Sequence, residues 1–183
     1  MKFNEFYSLT IVHSRDIILV KGVDYMNITK QKSQKTFDKQ AADYDTNIQG
    51  EHARKLYKPI IENLKNKNIH SILDLGCGTG ALLKEIKELN IAEQLFGIDI
   101  SPNMLEIAKN KLGNDATLIL GDSERLPFED SSFDAIVCND SFHHYPQPDI
   151  VEKEVSRCLK QNGVFIIGDC WHPIGARQRM NYY

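Results

Sequence analysis

Residues 73–80 read LDLGCGTG, so an apolar run passes directly into a segment with three glycines in five residues. This pattern is typical of a strand, a glycine-rich turn and a helix N-terminus, where backbone N–H groups and the helix dipole attract negative charge. Gly76, Gly78 and Ala81 also satisfy the loose form of the dinucleotide-binding fingerprint. The segment therefore predicts a binding turn and leaves its ligand open.

Short apolar runs alternate with amphipathic stretches from Ile69 onward, which is the pattern of βα units and predicts an α/β protein with a parallel sheet. Five strands are expected, at residues 71–75, 94–100, 117–120, 133–139 and 164–167. Helices are expected at residues 56–64, 82–89, 102–112 and 150–160.

Length and composition narrow the class of protein. The 183 residues suit one domain, and 42% hydrophobic with 26% charged residues is ordinary globular usage. A formal charge of −3 does not supply the positive field that nucleic-acid binding needs, so a small-molecule partner is favoured. Because the aliphatic run at residues 17–20 is too short for a signal-peptide core or a membrane span, we expect a cytoplasmic protein.

The N-terminal region departs from the βα pattern. Residues 1–25 are assigned to an N-terminal extension and residues 26–183 to a single domain. The extension is either an accessory element, in which Leu9–Val12 and Ile17–Val20 would form a hairpin, or disordered. The lysines that follow are interpreted as a solvated helix face rather than a basic patch: Lys30, Lys32, Lys35 and Lys39. The side chains expected to turn inward from this segment are Phe37, Ala41 and Tyr44.

Asp74 helps to identify the ligand of the glycine turn. A carboxylate at the end of the first strand would repel a bound pyrophosphate, by roughly 4 kcal/mol for two charges about 4 Å apart at an effective dielectric constant near 20. A ligand with an ammonium beside a carboxylate reverses this sign. S-adenosylmethionine is such a ligand, and its carboxylate would lie on the backbone donors of the turn.

Acids also follow the second and third strands. Asp99 stands where a carboxylate accepts hydrogen bonds from ribose hydroxyls; the alternative is a cap for the helix at residue 102. Asp122 and Ser123 would receive adenine, or else Asp122 would cap a turn. Ile100 and Met104 would pack on the adenine ring, although core packing explains Met104 equally well.

Four motifs in order resemble those of class I S-adenosylmethionine-dependent methyltransferases. They are LDLGCGTG, GIDIS at 97–101, GDSERLPFEDSSFDAIVCNDSFHHYP at 121–146 and LKQNGVFIIGD at 159–169. The chain is most similar to the group that contains the ubiquinone and menaquinone biosynthesis methyltransferases, over about residues 34–170. The resemblance implies a Rossmann-like, doubly wound, mainly parallel sheet.

The resemblance also implies roles for individual residues. The methionine part of the cofactor would be held by Asp74, Gly76, Cys77, Gly78 and Gly80. Asp99 would hold the ribose, and Asp122 with Ser123 the adenine. The strand ending at Asn139 would approach the amino group and the sulfonium, and Tyr44 would close the site from the N-terminal side.

Methyl transfer needs no nucleophilic residue, because the protein aligns donor and acceptor and excludes water. A base is needed only when the acceptor must lose a proton, and His143 and His144 are the candidates. The alternative is that these histidines stabilise the turn into Tyr145-Pro146. No metal is expected, because the histidine pair lacks an acid or cysteine at ligand spacing.

The C-terminal end departs from the family pattern. Members continue with a helix and an antiparallel strand pair, but 14 residues follow Asp169, so we expect a C-terminally truncated domain. Its fifth strand, at residues 164–167, would then be an open edge that self-associates or is covered by the C-terminal residues.

The sequence therefore predicts S-adenosylmethionine-dependent methyl transfer to a small-molecule acceptor. One alternative is a module that binds this cofactor without transferring its methyl group. Another is a nicotinamide-dependent oxidoreductase, which keeps the glycine turn but leaves Asp74 and the Asp122 segment unexplained.

Overall fold

The computed structural model describes residues 6–12, 23–48 and 50–171, which form six strands and five α-helices. The strands are β1 (Phe6–Val12), β2 (Ile69–Leu75), β3 (Ala92–Asp99), β4 (Ala116–Leu120), β5 (Phe133–Asn139) and β6 (Leu159–Trp171). The helices are α1 (Val23–Gln40), α2 (Glu51–Leu64), α3 (Ala81–Glu88), α4 (Pro102–Leu112) and α5 (Pro148–Cys158). Short 3-10 helices lie at Ala41–Asp43 and Phe142–His144.

One twisted sheet contains all six strands, in the order β1-β6-β5-β2-β3-β4. Strands β2 to β6 pair parallel with one another, which confirms the predicted five-stranded parallel sheet and the Rossmann-like α/β fold. The chain runs outward from β2 through β3 to β4 and then returns to place β5 on the other side of β2. In such sheets, ligands bind at the carboxyl ends of the strands where the order reverses, so β2 and β5 mark the site.

The strands bury both faces, because alternate side chains enter two separate cores. Ile72, Val137 and Ile166 pack under helices α2, α3 and α4. Their chain neighbours Leu73, Ile136 and Phe165 face the opposite side, where α5 packs. The continuous apolar runs in the sequence are therefore strands that pack against helices on both faces of the sheet. This packing fixes the positions of the strand ends.

The prediction of an open edge at β6 is wrong. All seven residues of β1 pair antiparallel with the second half of β6, with Thr10 opposite Ile167 and Val12 opposite Phe165. Because β1 occupies the backbone groups of that edge, self-association through β6 would have to displace it. Leu9–Val12 thus pairs with β6, while residues 17–20 and 172–183, where the second hairpin strand and the C-terminal cover were expected, lie outside the described residues.

The helices of the described part include none that is both long and apolar enough to cross a membrane. The longest, α1, has 18 residues and a polar sequence.

Candidate active site

A cleft opens at the carboxyl ends of β2, β3 and β5 and is covered on one side by α1. Every predicted cofactor residue except Gly80 lines it: Tyr44, Asp74, Gly76, Cys77, Gly78, Asp99, Ile100, Met104, Asp122, Ser123 and Asn139. Parallel pairing places these strand ends at one edge of the sheet, so residues far apart in sequence meet there.

The three glycines of the turn have positive φ angles, 75° at Gly76, 51° at Gly78 and 72° at Gly80. A Cβ at Gly76 would lie 2.2 Å from Ser141 Oγ, and one at Gly80 would lie 2.8 Å from Leu112 Cδ1. A Cβ at Gly78 would meet no atom within 4 Å. Gly78 therefore leaves room for a ligand, whereas Gly80, the residue before α3, permits close packing against α4 and does not line the cleft.

The backbone donors of the turn are used within the fold. The N–H groups of Gly76 and Cys77 donate to Ile98 O at 2.9 and 3.0 Å, and that of Gly80 donates to Cys77 O at 2.9 Å. Gly78 N donates to Asp99 Oδ2 at 2.8 Å. The expectation that these donors are free to hold a ligand carboxylate is therefore wrong for these four groups.

Asp74 is a buried carboxyl group at the end of β2, with 2% of its surface exposed. Burial, followed by the negative charge of Asp99, raises its pKa to about 8. Within the described part of the chain, neither Asp74 Oδ1 nor Asn139 Oδ1 has a hydrogen-bond partner. Buried acceptors are rarely left unpaired, so these two oxygens fit a ligand that donates hydrogen bonds.

Asp99 positions the turn rather than capping α4. Its Oδ1 accepts from Ser101 N at 2.8 Å and its Oδ2 from Gly78 N. The cap of α4 is Ser101, whose Oγ accepts from Met104 N at 3.1 Å, so the capping alternative for Asp99 is wrong. Burial raises the pKa of Asp99, and the backbone N–H groups of Ser101 and Gly78 oppose that rise.

Asp122 lies just after β4 and connects the end of that strand to α1. Its Oδ1 accepts from Glu124 N at 2.9 Å, which is the turn role considered as an alternative, while its Oδ2 accepts from Lys30 Nζ at 2.7 Å. Lys30 also pairs with Glu124 and keeps 17% of its side chain exposed. The interpretation of the N-terminal lysines as a solvated face is therefore wrong for Lys30, whose acidic partners lie more than 90 residues later.

Aromatic rings from α1 and from the segment that follows it cover the cleft. The rings of Phe37 and Tyr44 meet edge to face at 6.3 Å, and both line the cleft. Burial, with the charges of Asp140 and Asp99, raises the pKa of Tyr44 to about 12, so its hydroxyl keeps its proton at neutral pH. Asp38 at the end of α1 accepts from Ser101 Oγ at 2.6 Å and fastens the helix to α4.

Carboxyl groups are the main ionisable groups of the cleft lining. Its carboxyl groups belong to Asp74, Asp99, Asp122, Glu124 and Asp140. Lys30 is the single lysine in this lining, which contains no arginine, and it is already paired with two of these acids. A cationic ligand would stabilise the ionised forms of these carboxyl groups, so the lining favours such a ligand.

Several lining residues escaped sequence reasoning, namely Lys30, Ser33, Phe37, Ala53, Tyr57, Thr79, Glu124, Asp140, Ser141, Tyr145 and Pro146. Most stand within two residues of a predicted one, so proximity to a motif was an available signal. Lys30, Ser33 and Phe37 belong to α1, and the sequence holds no signal for where that helix docks.

A second cavity adjoins the cleft on the side of α1. Its lining consists of Thr29, Lys32, Ser33, Lys35, Thr36, Phe37, His143 and His144. Ser33, Phe37 and His144 line both spaces, so the two are neighbours across a shared wall. Of the two predicted base candidates, His144 borders both spaces and His143 borders the second cavity.

The two histidines have different environments. His143 Nδ1 lies 2.6 Å from Asp169 Oδ1, and its backbone N–H donates to Asp169 Oδ2 at 3.0 Å. Burial lowers the pKa of His143, but the hydrogen bond and charge of Asp169 outweigh it and raise the pKa above its usual value. Burial and the neighbouring His143 lower the pKa of His144 to about 4. At neutral pH His144 is therefore uncharged.

The fold brings two acids to the histidine pair, for which ligand spacing had suggested none. One ligand atom each from Asp140, His143 and Asp169 lies within 4.8 Å of the others, a group that could hold a metal ion. Sequence spacing did not reveal it, because Asp169 comes from β6, 26 residues after His143.

Comparison with known proteins identifies the family. A profile described as a methyltransferase domain matches residues 73–167, which hold the turn, the acidic strand ends and the histidine pair. The chain belongs to this methyltransferase family, and its fold is that of the class I S-adenosylmethionine-dependent enzymes.

The chain is 34% identical to the demethylmenaquinone methyltransferase of Thermotoga maritima over 79% of its own length and 64% of the relative's. It is 35% identical to a sterol 4-C-methyltransferase of Caenorhabditis elegans over 65% of its own length and 36% of the relative's. The crystal structure of the YcgJ protein from Bacillus subtilis superposes with a TM-score of 0.61 at 28% identity, covering 67% of this chain and 53% of that one. The chain thus spans about a third to two thirds of the length of these curated relatives.

Proposed function

We propose that the cleft binds S-adenosylmethionine and that the protein transfers its methyl group to a small-molecule acceptor. The observation that carries this proposal is the buried carboxyl of Asp74, whose Oδ1 lacks a hydrogen-bond partner in the described structure, within an acidic cleft. A ligand with an ammonium and a sulfonium supplies both the donor and the positive charge that this lining lacks. Membership of the methyltransferase family supports the same ligand.

The residues of the cleft fit the parts of this cofactor. Asp74 and Asn139 would receive the ammonium group, because each has a buried oxygen without a partner. Asp99 would accept from the ribose hydroxyls with its remaining lone pairs. The adenine would lie beside Ile100 and Met104, next to Asp122 and Ser123 at the end of β4.

The cofactor supplies an electrophilic methyl group, and the protein supplies alignment and exclusion of water. Phe37 of α1 and Tyr44, just after the 3-10 helix at Ala41–Asp43, close the cleft. Helix α1 is held in place by Lys30 and Asp38. The protonated hydroxyl of Tyr44 can donate a hydrogen bond within the cleft. No residue needs to form a covalent bond with the substrate.

The acidic lining disfavours a nicotinamide dinucleotide, because a pyrophosphate would add two negative charges beside Asp74 and Asp99. Calorimetric titrations with S-adenosylmethionine, S-adenosylhomocysteine and NAD separate the two ligands. We expect micromolar binding of both S-adenosyl compounds and no binding of NAD. Binding of NAD alone, or of none of the three by a folded chain, would overturn the proposal.

A binding module without catalysis would give the same titrations, so turnover is the second test. Formation of S-adenosylhomocysteine that depends on an added acceptor supports the enzyme. Its absence with a panel of phenol, amine and activated-carbon acceptors would favour the module.

A further inference from the structure

We propose that Asp45, Thr79 and Lys111 form a latch that holds Tyr44 over the cofactor cleft and thereby sets how fast the bound cofactor is released. In this latch Asp45 is a positioning residue, which acts on the cofactor through Tyr44 and through the glycine turn. The inference rests on the proposed function of the cleft. It adds a control of cofactor exchange at that same site.

The latch is a closed triangle of three side chains. Asp45 Oδ1 accepts from the Thr79 hydroxyl at 2.5 Å, and Asp45 Oδ2 accepts from Lys111 Nζ at 2.7 Å. Lys111 Nζ also donates to Thr79 Oγ1 at 3.2 Å. Each of the three groups therefore contacts the other two, although they come from three separate segments of the chain.

The triangle is partly shielded from water. Thr79 is 3% exposed, and the side chains of Lys111 and Asp45 are 17% and 38% exposed. Burial raises the pKa of Asp45, but the hydrogen bonds from Lys111 and Thr79 outweigh it and lower the pKa below its usual value. The carboxylate is therefore ionised at neutral pH, and removing either charge would leave the other partly buried without its partner.

The three residues belong to parts of the molecule that enclose the cleft. Thr79 lies between the last two glycines of the turn and lines the cleft. Asp45 directly follows Tyr44, which also lines the cleft. Lys111 lies in the last turn of α4. The latch therefore ties the segment that covers the cleft both to the glycine turn and to α4.

The segment that carries Asp45 is held together by further contacts. Arg54 of α2 donates to Tyr44 O at 3.1 Å and to Asn47 O at 2.9 Å. A Cβ at Gly50 would lie 2.0 Å from Tyr44 O, so the segment packs tightly against the start of α2. Because these contacts hold the segment in one arrangement, moving Tyr44 away from the turn means breaking the pairs of Asp45.

Exchange of the cofactor requires this cover to open. A cofactor whose ammonium group meets Asp74 and Asn139 lies beside the glycine turn, in the space that Tyr44 and Thr79 both line. Covered sites open by motion of the covering segment, and such motions set the turnover rate of many enzymes. A weaker latch should therefore shorten the time for which the cofactor stays bound.

The competing interpretation is that Asp45 only fastens the N-terminal helices to α4. The molecule contains such a fastening for comparison. Asp38 accepts from Ser101 Oγ at 2.6 Å, and its backbone carbonyl accepts from Asn103 Nδ2 at 3.0 Å. This contact joins α1 to the start of α4, and none of its residues belongs to the glycine turn. Asn103→Ala is therefore the matched control.

The test measures cofactor release, which can be followed without knowing the acceptor. Surface plasmon resonance on the immobilised full chain gives association and dissociation rates for S-adenosylmethionine and S-adenosylhomocysteine, and NMR line shapes extend it to faster release. We expect Asp45→Asn and Lys111→Met to speed release by about tenfold or more, while association changes by less than about threefold. Thr79→Val, which loses the hydroxyl and keeps the shape, should act in the same direction. Lys111→Arg keeps the charge and should restore slow release.

A double-mutant cycle tests whether the two charges act together. Asp45→Asn combined with Lys111→Met should release the cofactor no faster than the faster single variant, because removing one partner already opens the latch. Lys109→Met, an exposed lysine in the same turn of α4, and Asn103→Ala should leave release within about twofold of wild type. If the two single effects multiply, or if Asn103→Ala speeds release as much as Lys111→Met, the effect is a general loosening and the inference is overturned.

Thermal unfolding of the free protein shows whether each variant folds. Where Lys111→Met does not fold, Asp45→Asn, which keeps the size of the side chain, takes its place. Wild-type binding with unchanged release in Asp45→Asn and Lys111→Met would overturn the latch, and the proposed function would stand. Failure of the folded wild type to bind either S-adenosyl compound would overturn the proposed function itself.

Discussion

The two neighbouring spaces of this protein share a wall and differ in charge and in origin. The cofactor cleft is lined by carboxylates that follow successive strands, and its one lysine is neutralised by two of them. The second cavity is lined by lysines of α1 and by imidazoles more than 100 residues later. The contrast teaches that one loop and one helix can border two spaces of opposite charge, with Ser33, Phe37 and His144 common to both linings.

The largest expected effect comes from replacing the buried carboxyl group of Asp74 in the cleft. Asp74→Asn should weaken S-adenosylmethionine binding by about 2–5 kcal/mol, since it removes one partner of a buried ion pair. The free protein should gain stability at pH 8, because a carboxyl with a folded pKa of about 8 destabilises the fold as pH rises from about 4. Titration calorimetry and thermal unfolding measure the two effects.

Glu106→Gln, an exposed substitution on α4, is the matched control and should change neither quantity. Unaltered affinity in Asp74→Asn would contradict the assignment of this carboxylate to the cofactor.

The second prediction compares two glycines with similar φ angles. Gly80→Ala should destabilise the free protein by about 2–4 kcal/mol, because left-handed strain adds to a clash with Leu112 and Ala108. Gly78→Ala should cost about 1–2 kcal/mol, since its Cβ meets open space, but should weaken cofactor binding. Denaturant unfolding and calorimetry measure the pair. If Gly78→Ala binds normally, Gly78 does not approach the ligand.

The third prediction is that cofactor binding is coupled to loss of the Asp74 proton and therefore depends on pH. With a pKa of about 8, Asp74 is mostly protonated at pH 7 and must lose its proton to hold an ammonium. Affinity should therefore rise up to about tenfold per unit as pH approaches 8 and then level off, with proton release below that pH. Calorimetry in two buffers of different ionisation enthalpy counts the protons. Absence of release in the wild type, or equal release in Asp74→Asn, would contradict this origin.

The last prediction concerns the contact between α1 and the acids that follow β4. Lys30→Met removes charged hydrogen bonds to Asp122 and Glu124 and should lower the free energy of unfolding by about 1–3 kcal/mol. Hydrogen exchange should show faster opening of α1, whereas Lys39→Met should leave it unchanged. Equal protection of α1 in both variants would mean that Lys30 does not hold the helix over the cleft.

Much of the cofactor half could be predicted, because its residues follow strands whose apolar runs are visible in the sequence. Strand β5 and helix α4 were predicted at their observed bounds, and the acids after β2, β3 and β4 meet in the cleft. The lining of the second cavity could not be predicted in the same way. Its residues come from α1 and from a loop after β5, and no periodicity relates the two.

The sequence alone determined the class of this protein: alternating βα units dictate a parallel sheet, and its topology brings the strand ends together. Tertiary structure decided what each polar group is free to do. In the folded chain, backbone N–H groups of the glycine turn donate to other groups of the fold, and Lys30 pairs with acids of a distant loop. Strand β1 lies along β6, and Asp169 contacts His143. Those outcomes depend on which groups are buried against each other, because burial and nearby charge, not residue type, set the protonation state and the remaining hydrogen-bonding capacity of a side chain.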